Sequence, residues 1–119
     1  MFEIRKSFRF ESAHKLPQMP EGHKCARLHG HSFMATVVVR GELDQAGLVM
    51  DYGEVKTRVQ PVIDRLDHQY LNEIPGLENP SSEVLAKWIF DQTKSLIPNL
   101  YQIIISETCT SECRYPVKM

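Results

Sequence analysis

The first fourteen residues constrain the fold more than any other stretch of the chain. Phe2, Ile4, Phe8, Phe10 and His14 share one parity, while Glu3, Arg5, Arg9 and Glu11 share the other. Side chains on a strand alternate between its two faces, so this pattern is a long strand with one apolar and one charged side. Such a strand belongs in an antiparallel sheet covered on one face and open on the other. An imidazole, His14, closes the apolar row.

The remaining patterns fill in the architecture. Residues 16–27 carry Pro17, Pro20 and Gly22 and read as a loop. Residues 31–42 form a second strand around the β-branched run Thr36-Val37-Val38-Val39. Gly41 and Gly47 bracket a turn, after which residues 48–50 return as a short strand. Asp51 and Glu54 have the spacing of a capping box, and Val55, Val59, Val62, Ile63 and Leu66 follow at helical intervals. Pro61 falls inside that pattern and predicts a kink or a break. Pro80 and Ser81-Ser82-Glu83 open a second helix through Val84, Leu85, Trp88, Ile89 and Leu96, which Pro98 ends. Residues 101–107 and 112–117 are expected as further strands.

Helices grouped between antiparallel strands predict an α+β fold with both helices on one face of the sheet. Without repeats or linkers, residues 1–119 read as one domain. Apolar strands with no evident edge protection predict assembly with further copies of the same chain.

Composition narrows the function. Fourteen Lys and Arg against fifteen Asp and Glu leave a formal net charge of −1, without the basic surplus that nucleic-acid binding or an anionic membrane calls for. No apolar run approaches the roughly 20 residues that span a bilayer. The opening Met-Phe-Glu-Ile-Arg reads as strand and not as a secretory signal. Three cysteines make no disulfide framework, and a cytoplasmic protein with reduced thiols is expected.

The chemistry-bearing residues start with His29-Gly30-His31. In an extended segment both imidazoles point the same way, and Gly30 between them permits close approach. His14 lies on the face of its strand that a neighbouring strand could bring opposite the pair. Three neutral imidazoles suit Zn²⁺ and leave a fourth position open, the catalytic pattern; two histidines at this spacing also occur by chance. Cys25 sits in the loop between Lys24 and Arg27, both of which favour its thiolate. It reads equally as a reactive thiol, a fourth metal ligand or an inert cysteine. Asp67-His68 is expected to close the first helix. There the carboxylate fixes the imidazole's tautomer, or the two simply form a polar helix end. Glu107 ends an apolar strand. It needs a partner if buried, either a Lys or Arg or a ligand offering two adjacent N–H donors. Cys109 and Cys113 resemble half a zinc ribbon with no second pair and are taken as structural.

As an ordered set these residues resemble a known family. Cys25-x-x-x-His29-Gly30-His31, with Phe10-Glu11-Ser12-Ala13-His14 upstream, Asp67-His68 in the middle and Glu107-Thr108 near the end, is similar to the 6-pyruvoyltetrahydropterin synthases over almost the whole chain. Residues 20–25, 66–68, 71–80 and 107–110 resemble its bacterial 6-carboxy-5,6,7,8-tetrahydropterin synthase branch, which serves queuosine biosynthesis. No motif position departs from the pattern. The resemblance implies a tunnelling fold, in which sheets of several subunits join into a barrel. It also implies a homohexamer of two stacked trimers with sites at subunit interfaces. The implied substrate is 7,8-dihydroneopterin triphosphate. The implied products are 6-carboxy-5,6,7,8-tetrahydropterin, acetaldehyde and triphosphate. The implied roles are Zn²⁺ on His14, His29 and His31, and a Cys25 thiolate that abstracts a proton. Asp67 and His68 would relay protons, while Glu107 and Thr108 would bind the pterin. The rival expectations are pyruvoyl-forming activity on the same substrate, a closed three-His, one-Cys structural zinc site, and a pterin-binding protein without turnover.

Overall fold

A computed structural model of the chain describes residues 1–118, with Thr108 described by its backbone alone. The alternating N-terminal segment is strand β1 (Phe2–His14), and the β-branched run lies in β2 (His29–Gly41). Helix α1 (Tyr52–Asp64), strand β3 (Gln69–Tyr70), helix α2 (Ser82–Thr93), and strands β4 (Leu100–Thr108) and β5 (Ser111–Tyr115) follow. The five strands form one sheet in the order β3-β1-β2-β4-β5. All neighbours are antiparallel except β1 and β3.

Parity decides which face is buried. Phe8, Phe10, Phe33, Ala35, Val37, Ile103 and Ile105 point into the core, where they meet Val55, Val59, Val62 and Ile63 of α1 and Leu85, Ala86 and Ile89 of α2. Burying a side chain of this size stabilises the fold by about 1.5–3 kcal/mol. The opposite parity is polar along β1, whereas β2 and β4 bury Val38 and Ile104 on that side. Arg5 and Arg40 donate to Glu3 at 2.8 and 2.9 Å, and the Arg40 guanidinium lies 3.5 Å over the Tyr101 ring. Ser7 and Thr36 join hydroxyls across the strands at 3.0 Å.

Four local expectations are corrected. Residues 48–50 form no strand: the Asp44 carboxylate accepts from the Ala46 and Leu48 N–H groups and ties the segment into a turn. Helix α1 runs through Pro61 and ends at Asp64, one turn later, where the packing of Val62 and Ile63 holds it. Asp51 caps α1 through the Gly53 N–H at 2.6 Å, but Glu54 pairs with Arg58 one turn on and does not reach back to complete a capping box. Asp67-His68 lies just past the helix, in the bend leading to β3, with the Asp67 N–H still bonded to the Ile63 carbonyl at 3.0 Å. The two-residue β3 has too little sequence to show a period.

Candidate metal centre and active site

Strands β1 and β2 pair in continuous register from Phe2 opposite Gly41 to His14 opposite His29. That pairing brings the last residue of one strand against the first of the next, with His31 two positions along. His14, His29 and His31 each bring one ring nitrogen to within 4.8 Å of the others. Their ring centroids are 4.6, 5.2 and 4.8 Å apart, all edge to face. Phe33 lies edge-on to His14 and His31 at 5.4 and 5.5 Å and makes the floor apolar. A side chain at Gly30 would meet the Ser12 carbonyl at 3.6 Å, an ordinary contact, so packing within the chain does not demand glycine there.

Backbone carbonyls set the ring tautomers. His14 Nδ1 lies 2.8 Å from the Pro80 carbonyl, and His29 Nδ1 lies 2.7 Å from the Arg27 carbonyl. A carbonyl only accepts, so each Nδ1 carries the hydrogen and the neutral ring keeps its lone pair on Nε2. His14 is 1% exposed, and its Nε2 has no hydrogen-bond partner among the described residues. Burial pushes the His14 imidazole below its ordinary value, outweighing the Pro80 carbonyl and Glu107, which raise it. A buried, neutral imidazole with an orphan lone pair, oriented from behind by a carbonyl, is what a zinc ligand requires. The donor set therefore fits Zn²⁺, held by three imidazoles with one position open.

The cluster opens into a cavity of about 610 Å³ that Cys25, Glu107, Lys24 and Arg27 line together with His29 and His31. Cys25 stands outside the three-histidine cluster. It lies on a 3₁₀ turn, Lys24–Ala26, and its backbone is held from both sides. Its N–H donates to His23 Nδ1 at 3.0 Å, and its carbonyl accepts from Leu16 at 2.7 Å. Glu107 Oε2 lies 3.8 Å from His31 Nε2, so its partner in the fold is the imidazole and not a Lys or Arg. Glu107 also lines a second cavity of about 540 Å³ with Arg9, Ser32, Met34, Ser106 and Cys109. It thus stands where the two spaces meet. The Thr108 side chain lies outside the described residues.

Asp67 and His68 are together but elsewhere. Asp67 Oδ2 is 2.9 Å from His68 Nδ1, and Asp67 Oδ1 accepts from the Glu11 N–H at 2.9 Å. His68 adopts φ 57° and donates its N–H to the Glu11 carbonyl. The Glu11 N–H first, then His68, holds the Asp67 carboxyl below its ordinary range. His68 is 77% exposed, and the pair lines neither cavity.

Sequence reading missed the second cavity, the two orienting carbonyls and the His23 contact. Carbonyls carry no sequence signal. His23 was visible only as one more histidine, two residues before Cys25.

Residues 3–117 match the family described as 6-pyruvoyl tetrahydropterin synthase. The chain belongs to this family. It is similar to the 6-carboxy-5,6,7,8-tetrahydropterin synthase of Synechocystis sp., with 44% identity covering 97% of this chain and 93% of that protein. The Bacillus subtilis protein of the same name is 31% identical over 98% and 86%. A dihydroneopterin monophosphate aldolase of Pyrococcus furiosus is 38% identical over 75% and 72%. The solved 6-pyruvoyl tetrahydropterin synthase of Caenorhabditis elegans superposes with a TM-score of 0.89 at 26% identity, covering 98% of this chain and 96% of that one. A five-stranded sheet with two helices on one face is thus the tunnelling fold of the 6-pyruvoyl tetrahydropterin synthase family. Among the described residues no helix is long and apolar enough to cross a membrane.

Proposed function

We propose that this protein is a zinc-dependent 6-carboxy-5,6,7,8-tetrahydropterin synthase. It converts 7,8-dihydroneopterin triphosphate and one water into 6-carboxy-5,6,7,8-tetrahydropterin, acetaldehyde and triphosphate. The observation that carries the reading is the three-imidazole cluster, of which His29 and His31 line a cavity together with Cys25 and Glu107. The names of the Synechocystis and Bacillus relatives favour the carboxy-forming branch.

His14, His29 and His31 hold the metal. Bound zinc supplies Lewis-acid polarisation of the substrate's side-chain hydroxyls and stabilises charge that develops on oxygen. Cys25, as thiolate, removes the carbon-bound proton beside the pterin ring, a task that suits a thiol flanked by two cations. Glu107 accepts the ring N–H and exocyclic amine of the pterin, with Thr108 beside it, and passes protons onward. Asp67 orients His68 as the second proton carrier. Because that pair lines neither cavity of its own chain, it serves the site of a neighbouring copy in a homohexamer. We place this single-domain enzyme in the cytoplasm, in queuosine biosynthesis.

The test is acetaldehyde release by zinc-loaded protein given 7,8-dihydroneopterin triphosphate. Wild type should release it, and Cys25→Ala should retain zinc while losing at least about 10²-fold in rate. Triphosphate release without acetaldehyde moves the assignment to pyruvoyl formation. His29→Ala should lose zinc and activity together; an active, metal-free variant would sink the metal assignment.

A further inference from the structure

The turn that presents Cys25 also presents two cations for which the roles above name no ligand. Lys24 and Arg27 stand three residues apart, and the Arg27 N–H closes the 3₁₀ turn on the Lys24 carbonyl at 3.3 Å. Lys24 opens the turn and Arg27 leaves it in an extended conformation. Both are exposed, and both line the cavity of His29 and His31. Arg27 is fixed against the metal centre as well, because its carbonyl holds His29 Nδ1 at 2.7 Å.

Neither cation has a carboxylate partner among the described residues. Arg5, Arg40, Arg58, Lys87 and Arg114 each meet one. The one carboxylate lining this cavity, Glu107, is engaged with His31. Two like charges lining one cavity repel each other, and an anion bound between them removes that cost. A planar guanidinium offers a two-pronged grip on phosphate oxygens, and the neighbouring ammonium adds a mobile point charge.

We propose that Lys24 and Arg27 form a polyphosphate subsite on the rim of the metal cavity, which receives the triphosphate tail of the substrate. The identity of the tail rests on the reading given under Proposed function. The chemistry of the subsite does not, since the paired cations take a phosphate chain whether it is esterified to a pterin or free.

Calorimetric titration of zinc-loaded protein with inorganic tripolyphosphate, alongside KM for 7,8-dihydroneopterin triphosphate, separates the cases. Each of Lys24→Gln and Arg27→Gln should weaken tripolyphosphate binding and raise KM by about tenfold, the worth of one charge-assisted contact. Binding of unphosphorylated 7,8-dihydroneopterin should be unchanged. Lys56→Gln, on α1 and outside both cavities, should match wild type. Wild-type tripolyphosphate affinity in the double variant overturns the proposal, and so does an equal loss in Lys56→Gln. A fall in kcat with KM and tripolyphosphate affinity unmoved also overturns it, because the cations would then act only through Cys25. Tripolyphosphate binding that needs both cations while KM does not overturns the assignment to the substrate's tail. If the protein releases no acetaldehyde yet binds tripolyphosphate through both cations, the proposed reaction fails and the subsite stands.

Discussion

Two single residues, His23 and Asp67, make contacts that can be removed one at a time. His23 accepts the Cys25 N–H through a ring nitrogen, which a methyl group cannot replace and an asparagine amide oxygen can. His23→Ala is therefore expected to lower kcat about tenfold with little change in KM, roughly the worth of one cap, and His23→Asn to restore it. Steady-state kinetics on the two variants decides this; equal rates in wild type and His23→Ala would leave Cys25 positioned without its neighbour. Asp67 gives a pH prediction. Its folded carboxyl titrates below its ordinary range because the Glu11 N–H and His68 favour the anion. A depressed carboxylate stabilises the fold above its unfolded pKa of about 3.9, and that contribution is lost as pH falls through the folded value. Asp67→Asn should thus unfold at lower urea than wild type at pH 7, with the gap closing below about pH 4. A gap that persists in acid would show that the charge is not its source.

Among the elements, α2 does more than pack. Its cap Ser81 accepts the Val84 N–H at 3.1 Å, and the preceding residue, Pro80, presents the carbonyl that orients His14. Ser81→Ala is expected to cost about 1 kcal/mol in urea unfolding. It should also weaken zinc about tenfold in a chelator competition, since outer contacts of metal ligands carry effects of that size. Lower stability with zinc affinity intact would mean that Pro80 is held independently of the cap. The elements also mark where periodicity stops informing. Val55, Val59, Val62 and Ile63 repeat often enough to reveal α1, and buried packing then carried the helix past Pro61. Strand β3 consists of two residues that pair with Ser12 and Ala13, and its place depends on β1 being there already.

At the scale of the molecule, Asp67 and His68 are a complete pair in the wrong place to serve their own cavity. If they complete a neighbour's site, two inactive proteins should rescue each other. Cys25→Ala and His68→Ala, unfolded and refolded together, should recover about a quarter of wild-type acetaldehyde release, the share of sites that draw both groups from intact copies. Mixtures as inactive as their parents would put all of the groups in one chain.

The sequence by itself determined the α+β class and the parity of β1 and β2, and it supplied the candidate site residues. Periodicity and residue chemistry are local, so Phe8, Phe10 and His14 on one row, His29-Gly30-His31, Cys25 and Glu107 could all be named from the chain alone. Only the tertiary structure decided how they meet. Register placed His14 opposite His29, and long-range contacts supplied the Pro80 carbonyl behind His14 and the Glu11 amide behind Asp67. Fifty-six residues separate Glu11 from Asp67, and no pattern within the chain encodes that distance. Such contacts form because burying one apolar face fixes where each strand ends, and the site stands at those ends.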